Sequence, residues 1–272
     1  MNRNVIIGAG VVLIVVSLMV ISSKHSDKDA VAQNGNPSVE AKQLYAKAEN
    51  FKKSKELVKA KDAYRKILAD YPEAENISSV QKELEQINME LIFSNRAVPG
   101  KTTIHEVVSG DTLGKLAKKY GTTIELIKKS NNLKSDVIRV GQRLRIWTGM
   151  FNVYIDKSQN ILILKDGNEV IKVYDVSTGT NNSTPVGEFT ITSKLVDPVW
   201  FNRGVVVPPD SPANVLGSRW LGFDIPGYGI HGTVEPDAIG QQVTAGCVRM
   251  RNPEVEELYS ILPMRTKVTI VD

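Results

Sequence analysis

The spacing of apolar residues changes character twice along this chain, and no single layer of secondary structure accommodates all three patterns. Between Val39 and Phe93 the apolar residues recur at three and four. Leu44, Ala48 and Phe51 form one set, Ala60, Tyr64, Ile67 and Leu68 a second, and Ile77, Val80, Leu84, Ile87 and Leu91 a third. That period places each set on one face of an α-helix, and Pro72 stops the second run. From Phe151 onward the period is two, in the short runs Phe151–Asp156, Ile161–Lys165, Glu169–Val176, Gly187–Ser193 and Lys267–Val271. Turn signals at Lys157–Asn160 and Asp166-Gly167-Asn168 separate the first three runs, so this part reads as mainly β. It holds one clear helix, with Asn252 as its cap, Pro253 in its first position and Glu254 and Glu256 at its positive end.

The stretch between these regions mixes the two periods. Pro99-Gly100 marks a boundary. Thr103–Trp147 then reads as a compact βααβ unit with strands at Ile104–Val108 and Arg143–Trp147. Asp111 is the expected N-cap of a helix Thr112–Tyr120, and Gly121 its stop. Thr122 and Glu125 form a capping-box pattern for a second helix ending near Asn131-Asn132. The chain is therefore multidomain.

Before the helices, Val5–Ile21 is an uncharged, mostly apolar run preceded by Arg3. As a helix it would be about 26 Å long, near the lower limit for crossing a bilayer. Residues 1–23 are read as a signal anchor or transmembrane helix, with a cleaved signal peptide as the alternative. Residues 24–38 are a polar linker. The formal charge of +4 is split: the first 149 residues carry +8 and the rest −4. The basic half suits an anionic membrane or wall polymer, or is simply a solvated Lys-rich surface. One Cys and three His make an internal disulfide impossible and a structural metal cluster implausible. Nothing in the sequence points to a cofactor or to nucleic acid.

That single Cys carries the chemistry. Cys247 lies in Thr244-Ala245-Gly246-Cys247-Val248-Arg249-Met250, sixteen positions after His231-Gly232-Thr233, and His231 is the only His beyond residue 105. A thiol needs a nearby base to become a strong nucleophile, and imidazole is the usual one. A Gly before the nucleophile lets backbone N–H groups approach a developing oxyanion. Arg249 presents a planar fork suited to a carboxylate.

These residues resemble the YkuD-like L,D-transpeptidases: His231-Gly232-Thr233, Ile239-Gly240 and Gly246–Met250 match in order, and Thr184–Phe189 matches an upstream signature. Many members have a second His where this chain has Ala245, which leaves His231 as the only imidazole available to this domain. The resemblance implies Cys247 as nucleophile, His231 as base and the Gly232 carbonyl as the group that orients the imidazole. It implies an oxyanion site on the N–H groups of Gly246 and Cys247. Thr244 and Arg249 are expected beside oxyanion or substrate, Arg249 either holding a carboxylate or forming an ion pair under the loop. His105–Leu113, Tyr120-Gly121, Asn131–Leu133 and Val140–Leu144 resemble a LysM domain. That implies glycan contacts at Gly110, Asp111, Thr112, Leu113, Asn131 and Asn132. Leu44, Ala48, Phe51, Ala60, Tyr64 and Pro72 resemble a single tetratricopeptide repeat, which serves as a spacer or as a weak site for a protein partner.

The expected organisation is anchor 1–23, linker 24–38, tetratricopeptide-like helices 39–95, LysM domain 103–147 and catalytic domain 150–272. The implied activity is peptidoglycan L,D-transpeptidation through a cysteine thioester on tetrapeptide stems, in the bacterial cell envelope. N-acetylglucosamine-containing glycan and the membrane are the further partners. The alternatives are an L,D-carboxypeptidase using the same pair and a non-catalytic wall-binding scaffold.

Overall fold

The computed structural model describes residues 37–202 and 204–272. The expected anchor at 1–23 and most of the linker lie outside them. Among the described residues no helix is long and apolar enough to cross a membrane.

The described chain divides into two compact units. One holds the residues through Val98 together with Asn168–Lys172, and the other holds Pro99–Gly167 and Val173–Asp272. In the first, helices α1 (Pro37–Lys53), α2 (Leu57–Asp70) and α3 (Ile77–Phe93) follow one another. Their apolar stripes are buried as the three-and-four spacing predicts: Ala48 on α1, Ala60, Tyr64, Ile67 and Leu68 on α2, and Val80, Leu84, Ile87 and Leu91 on α3.

The second unit opens with the βααβ segment. Strands β1 (Thr102–Glu106) and β2 (Arg143–Trp147) pair antiparallel, and helices α4 (Leu113–Tyr120) and α5 (Ile124–Ser130) lie between them in sequence. Leu113, Leu116, Ala117 and Ile127 pack with Val107, Leu144 and Ile146 in one core. Gly121 ends α4 in the left-handed conformation, which glycine adopts without a Cβ penalty. Both helix starts fall one residue later than expected. Thr112, not Asp111, caps α4 by accepting from Lys115 N at 3.2 Å, because Asp111 is turned toward Val108 N and His105. Thr123, not Thr122, caps α5 through Leu126 N at 2.9 Å. Either Thr of the pair satisfies the local rule, so packing makes the choice.

The strands that follow form an eight-stranded sheet. Its strands are β3 (Phe151–Asp156), β4 (Ile161–Asp166), β5 (Glu169–Asp175), β7 (Gly187–Val196), β10 (Arg219–Phe223), β11 (Gly229–His231), β13 (Val248–Arg249) and β14 (Lys267–Val271). Their order across the sheet is β13-β11-β10-β7-β14-β3-β4-β5. Short pairs β6 (Thr178–Gly179) with β12 (Gln242–Thr244), and β8 (Trp200–Asn202) with β9 (Val205–Val207), stand apart from it. Helix α6 (Asn252–Ile261) buries Val255, Leu258 and Ile261. The βααβ segment meets this helix where Thr123 Oγ1 donates to the Ser260 carbonyl and Lys129 Nζ to Ser260 Oγ at 2.7 Å.

Candidate active site

The sheet pairs the strand that ends on His231 with the strand that follows Cys247, across sixteen positions of sequence. Strand β11 pairs parallel with β13, with Ile230 opposite Val248 and His231 opposite Arg249. Parallel neighbours need a long crossover, and residues 232–247 supply it. Cys247 therefore stands at the mouth of β13, beside the strand that ends on His231.

His231 is 3% exposed. The Trp220 ring stacks near it at 6.0 Å between centroids, and its Nδ1 lies 2.7 Å from the Gly232 carbonyl. A carbonyl only accepts, so Nδ1 carries the proton and Nε2 keeps a lone pair. Burial pushes the imidazole pKa down to about 4; the Gly232 and Leu216 carbonyls oppose that shift and the Arg249 charge adds to it. At neutral pH the imidazole is uncharged.

Cys247 is partly exposed, and its Sγ donates to the Gly227 carbonyl at 3.3 Å. Burial raises its pKa, against a backbone hydrogen bond from Gly229 and the nearby Arg249 charge. Burial therefore disfavours the charged form of both groups.

The loop before Cys247 is fixed from several sides. Thr244 is buried; its Oγ1 donates to the Cys247 carbonyl at 2.7 Å and accepts from Gly246 N at 3.1 Å. Thr180 Oγ1 donates to the Thr244 carbonyl at 3.0 Å. The upstream Thr184 accepts from Gly179 N at 2.8 Å, and Lys157 Nζ donates to the Thr184 carbonyl at 2.9 Å. Gly246 has φ of +133°, and a Cβ there would lie 2.7 Å from Tyr228 Cε1. The Gly246 N–H, expected at the oxyanion site, is engaged by Thr244 Oγ1, and both hydrogen bonds of Thr244 Oγ1 lie within the turn.

Arg249 is buried, and its Nη1 pairs with Glu235 Oε2 at 3.0 Å. Its backbone exchanges both hydrogen bonds with Ser177, at 2.8 and 2.9 Å. Of its two expected roles, this geometry favours the ion pair under the loop. Asn252, expected as a helix cap, sends its side chain elsewhere: Oδ1 accepts from Ser218 N at 3.1 Å and Thr233 N at 3.0 Å. Tyr228 and Gly227, which line the Cys247 loop, carried no signal in the sequence beyond a glycine-rich turn. Among the described residues no group of three or more His, Cys, Asp or Glu is placed to hold a metal.

The expected glycan contacts separate into two sets. Leu113 is buried in the βααβ core. Asn131 spends its amide on Ile127 O, Arg145 O and Arg145 N at 2.7 to 2.8 Å, which staples α5 to β2. Both are taken up by the packing of the fold. Gly110 and Asn132, both at positive φ, and Asp111 and Thr112 remain on surface turns.

Residues 151–270 match the YkuD family of L,D-transpeptidase catalytic domains, and residues 105–147 match the LysM domain. The chain is 41% identical over 126 residues to YqjB of Bacillus subtilis (strain 168), covering 44% of this chain and 70% of that one. It is 31% identical over 173 residues to YkuD of the same organism, covering 61% of this chain and 97% of that one. Both relatives are provisionally named L,D-transpeptidases. Among solved structures, the catalytic domain of the E. faecium L,D-transpeptidase covers 44% of this chain and 96% of its own, at 20% identity and a TM-score of 0.38.

Proposed function

The chain belongs to the YkuD family of L,D-transpeptidases and carries a LysM peptidoglycan-binding domain, and from that premise we propose that it exchanges stem-peptide bonds in peptidoglycan through a Cys247 thioester. The observation that carries this reading is the Nδ1 contact of buried His231 with the Gly232 carbonyl, on the strand that pairs with the one Cys247 opens. That contact fixes the tautomer in which Nε2 can take a proton.

The stem carbonyl carbon at the third, diamino-acid position is the electrophile. As Sγ attacks it, the thiol proton passes to His231 Nε2, so charge appears only as the bond forms. The oxyanion is met by the Cys247 N–H. The tetrahedral intermediate collapses, D-alanine leaves with the proton from His231, and a thioester remains. An amine from a neighbouring stem attacks the thioester, returns a proton through His231 and restores the thiol. Arg249, tied to Glu235 and to the Ser177 backbone, holds β13 and the nucleophile loop in place.

The proposed division of labour follows the segments 39–95, 103–147 and 150–272. The LysM segment raises the local concentration of wall substrate through Gly110, Asp111, Thr112 and Asn132. Peptidoglycan as substrate and ligand places the work in the cell envelope.

The test is incubation of the protein with purified disaccharide-tetrapeptide and mass analysis of the products. Loss of D-alanine with a cross-linked dimer is expected. Loss of D-alanine with only a tripeptide product would make the enzyme a carboxypeptidase. Unchanged tetrapeptide, together with a Cys247 that iodoacetamide does not alkylate, would reduce the chain to a wall-binding scaffold.

A further inference from the structure

Helix α6 begins with a side chain whose hydrogen bonds leave the helix. The helix start needs no help from it: the Arg251 carbonyl accepts from Glu254 N at 3.1 Å and Val255 N at 3.0 Å. Asn252 Oδ1 instead accepts from Ser218 N and Thr233 N. These two amides belong to the two backbone segments that flank His231. One runs from Leu216 into β10. The other is the exit from β11, through Gly232 to Thr233. Carbonyls of both segments, Leu216 and Gly232, act on the imidazole.

The packing around the carboxamide oxygen leaves no slack. A Cβ on Gly217 would lie 2.3 Å from Asn252 Oδ1, and one on Gly232 2.1 Å from it. Gly217 has φ of +63°, a conformation glycine adopts without strain. Two glycines thus admit one oxygen between the two backbone segments. The same strand end is tied to the nucleophile side, because Met250 N donates to the His231 carbonyl at 2.8 Å.

We propose that Asn252 is a positioning residue for the base: by holding the Ser218 and Thr233 N–H groups it keeps the Gly232 carbonyl on His231 Nδ1 and so keeps Nε2 unprotonated and aimed at the thiol. This rests on the Cys247–His231 reading given above. Only the acceptor oxygen is used, so aspartate at this position preserves the function and alanine removes it.

The experiment compares wild type, Asn252→Ala, Asn252→Asp and Cys247→Ala in the full chain. Asn252→Ala should lower kcat by roughly 100-fold, the cost of a misplaced catalytic group, with KM for the soluble stem within about twofold. In nitrogen NMR of the imidazole, wild type should show His231 as the Nδ1–H tautomer alone, and Asn252→Ala a mixture. Asn252→Asp should restore both the tautomer and most of kcat. A helix cap and nothing more would lower thermal stability and leave tautomer and kcat unchanged; that result overturns the proposal. So does an Asn252→Asp variant as impaired as the alanine. Turnover that survives in Cys247→Ala would defeat the dyad reading, and the tautomer measurement would still decide the role of Asn252.

Discussion

Two strands of this chain each carry a histidine in a polar cage, and the cages differ in one respect. In the LysM segment, His105 on β1 faces a carboxylate: Nε2 lies 2.8 Å from Asp111 Oδ2, and Nδ1 lies 3.0 Å from the Tyr120 hydroxyl. In the catalytic sheet, His231 on β11 faces a carbonyl and an aromatic ring. The carboxylate of Asp111 is held below its usual range, first by the Val108 N–H and then by His105, so the charge stays in place and braces the loop. Around His231 the Gly232 and Leu216 carbonyls are acceptors, and burial pushes the ring's pKa down to about 4. A charged partner makes a histidine a strut. A carbonyl partner fixes the tautomer without fixing a charge, and that is what a general base requires.

The largest effects should separate the two histidines outright. Cys247→Ala and His231→Ala should each lower turnover of a soluble tetrapeptide by at least roughly 1,000-fold, and the double variant should be little worse than either. His105→Gln should leave that turnover within about twofold of wild type. Comparable losses at both histidines, measured by D-alanine release, would break the comparison.

The next effect is on stability. Burial holds the folded-state pKa of His231 at about 4, below the ordinary imidazole value of 6.5 that describes the unfolded chain. Between those values the unfolded state binds the extra proton, so stability is fully present above about pH 6.5 and falls as pH drops toward 4. The shift corresponds to roughly 3 kcal/mol. Urea unfolding followed across this range should show the fall in wild type and a flatter profile in His231→Gln. An unchanged slope in that variant would place the acid sensitivity elsewhere.

A smaller loss, about 2 kcal/mol, is expected for Gly246→Ala, from positive φ and from the new Cβ against Tyr228. Its melting temperature should fall, and iodoacetamide labelling of Cys247 should change rate, because the same turn carries the nucleophile. A variant as stable as wild type would show that the turn relaxes freely. The smallest effect concerns the LysM strut. Asp111→Asn should weaken binding to insoluble peptidoglycan, read by pelleting, while soluble-stem turnover holds. Equal loss of both would mean that the loop serves the active site.

Local signals in the sequence were sufficient wherever a single element decided the outcome. The period of three and four, ended by Pro72, marked the helices, and the period of two marked β3 and β14 at their observed ends. Gly121 stopped α4 where a left-handed residue is needed. Cys247 and His231 were legible as candidates because glycine-rich backbone on both sides carries a family pattern. Caps were read one residue early, since Asp111 and Thr122 satisfy the same local rule as the residues that cap. His105 and Val108 N draw Asp111 away, and only their placement in space shows it.

Residue order therefore carries the inventory: helical, βααβ and mainly-β segments, one thiol, one imidazole in the mainly-β part, and the glycines that admit close backbone. The state of that inventory comes from how distant strands pack. The parallel pairing of β11 with β13 spans residues 232–247 and sets the Cys247 loop beside the strand that ends on His231. Burial then disfavours both charged forms, Thr244 takes the Gly246 N–H, and Asn252 serves the His231 loop instead of its own helix. The physical reason is range. Propensity and capping act over three or four residues, whereas desolvation and the choice among hydrogen-bond partners depend on strands that meet from far apart in the chain.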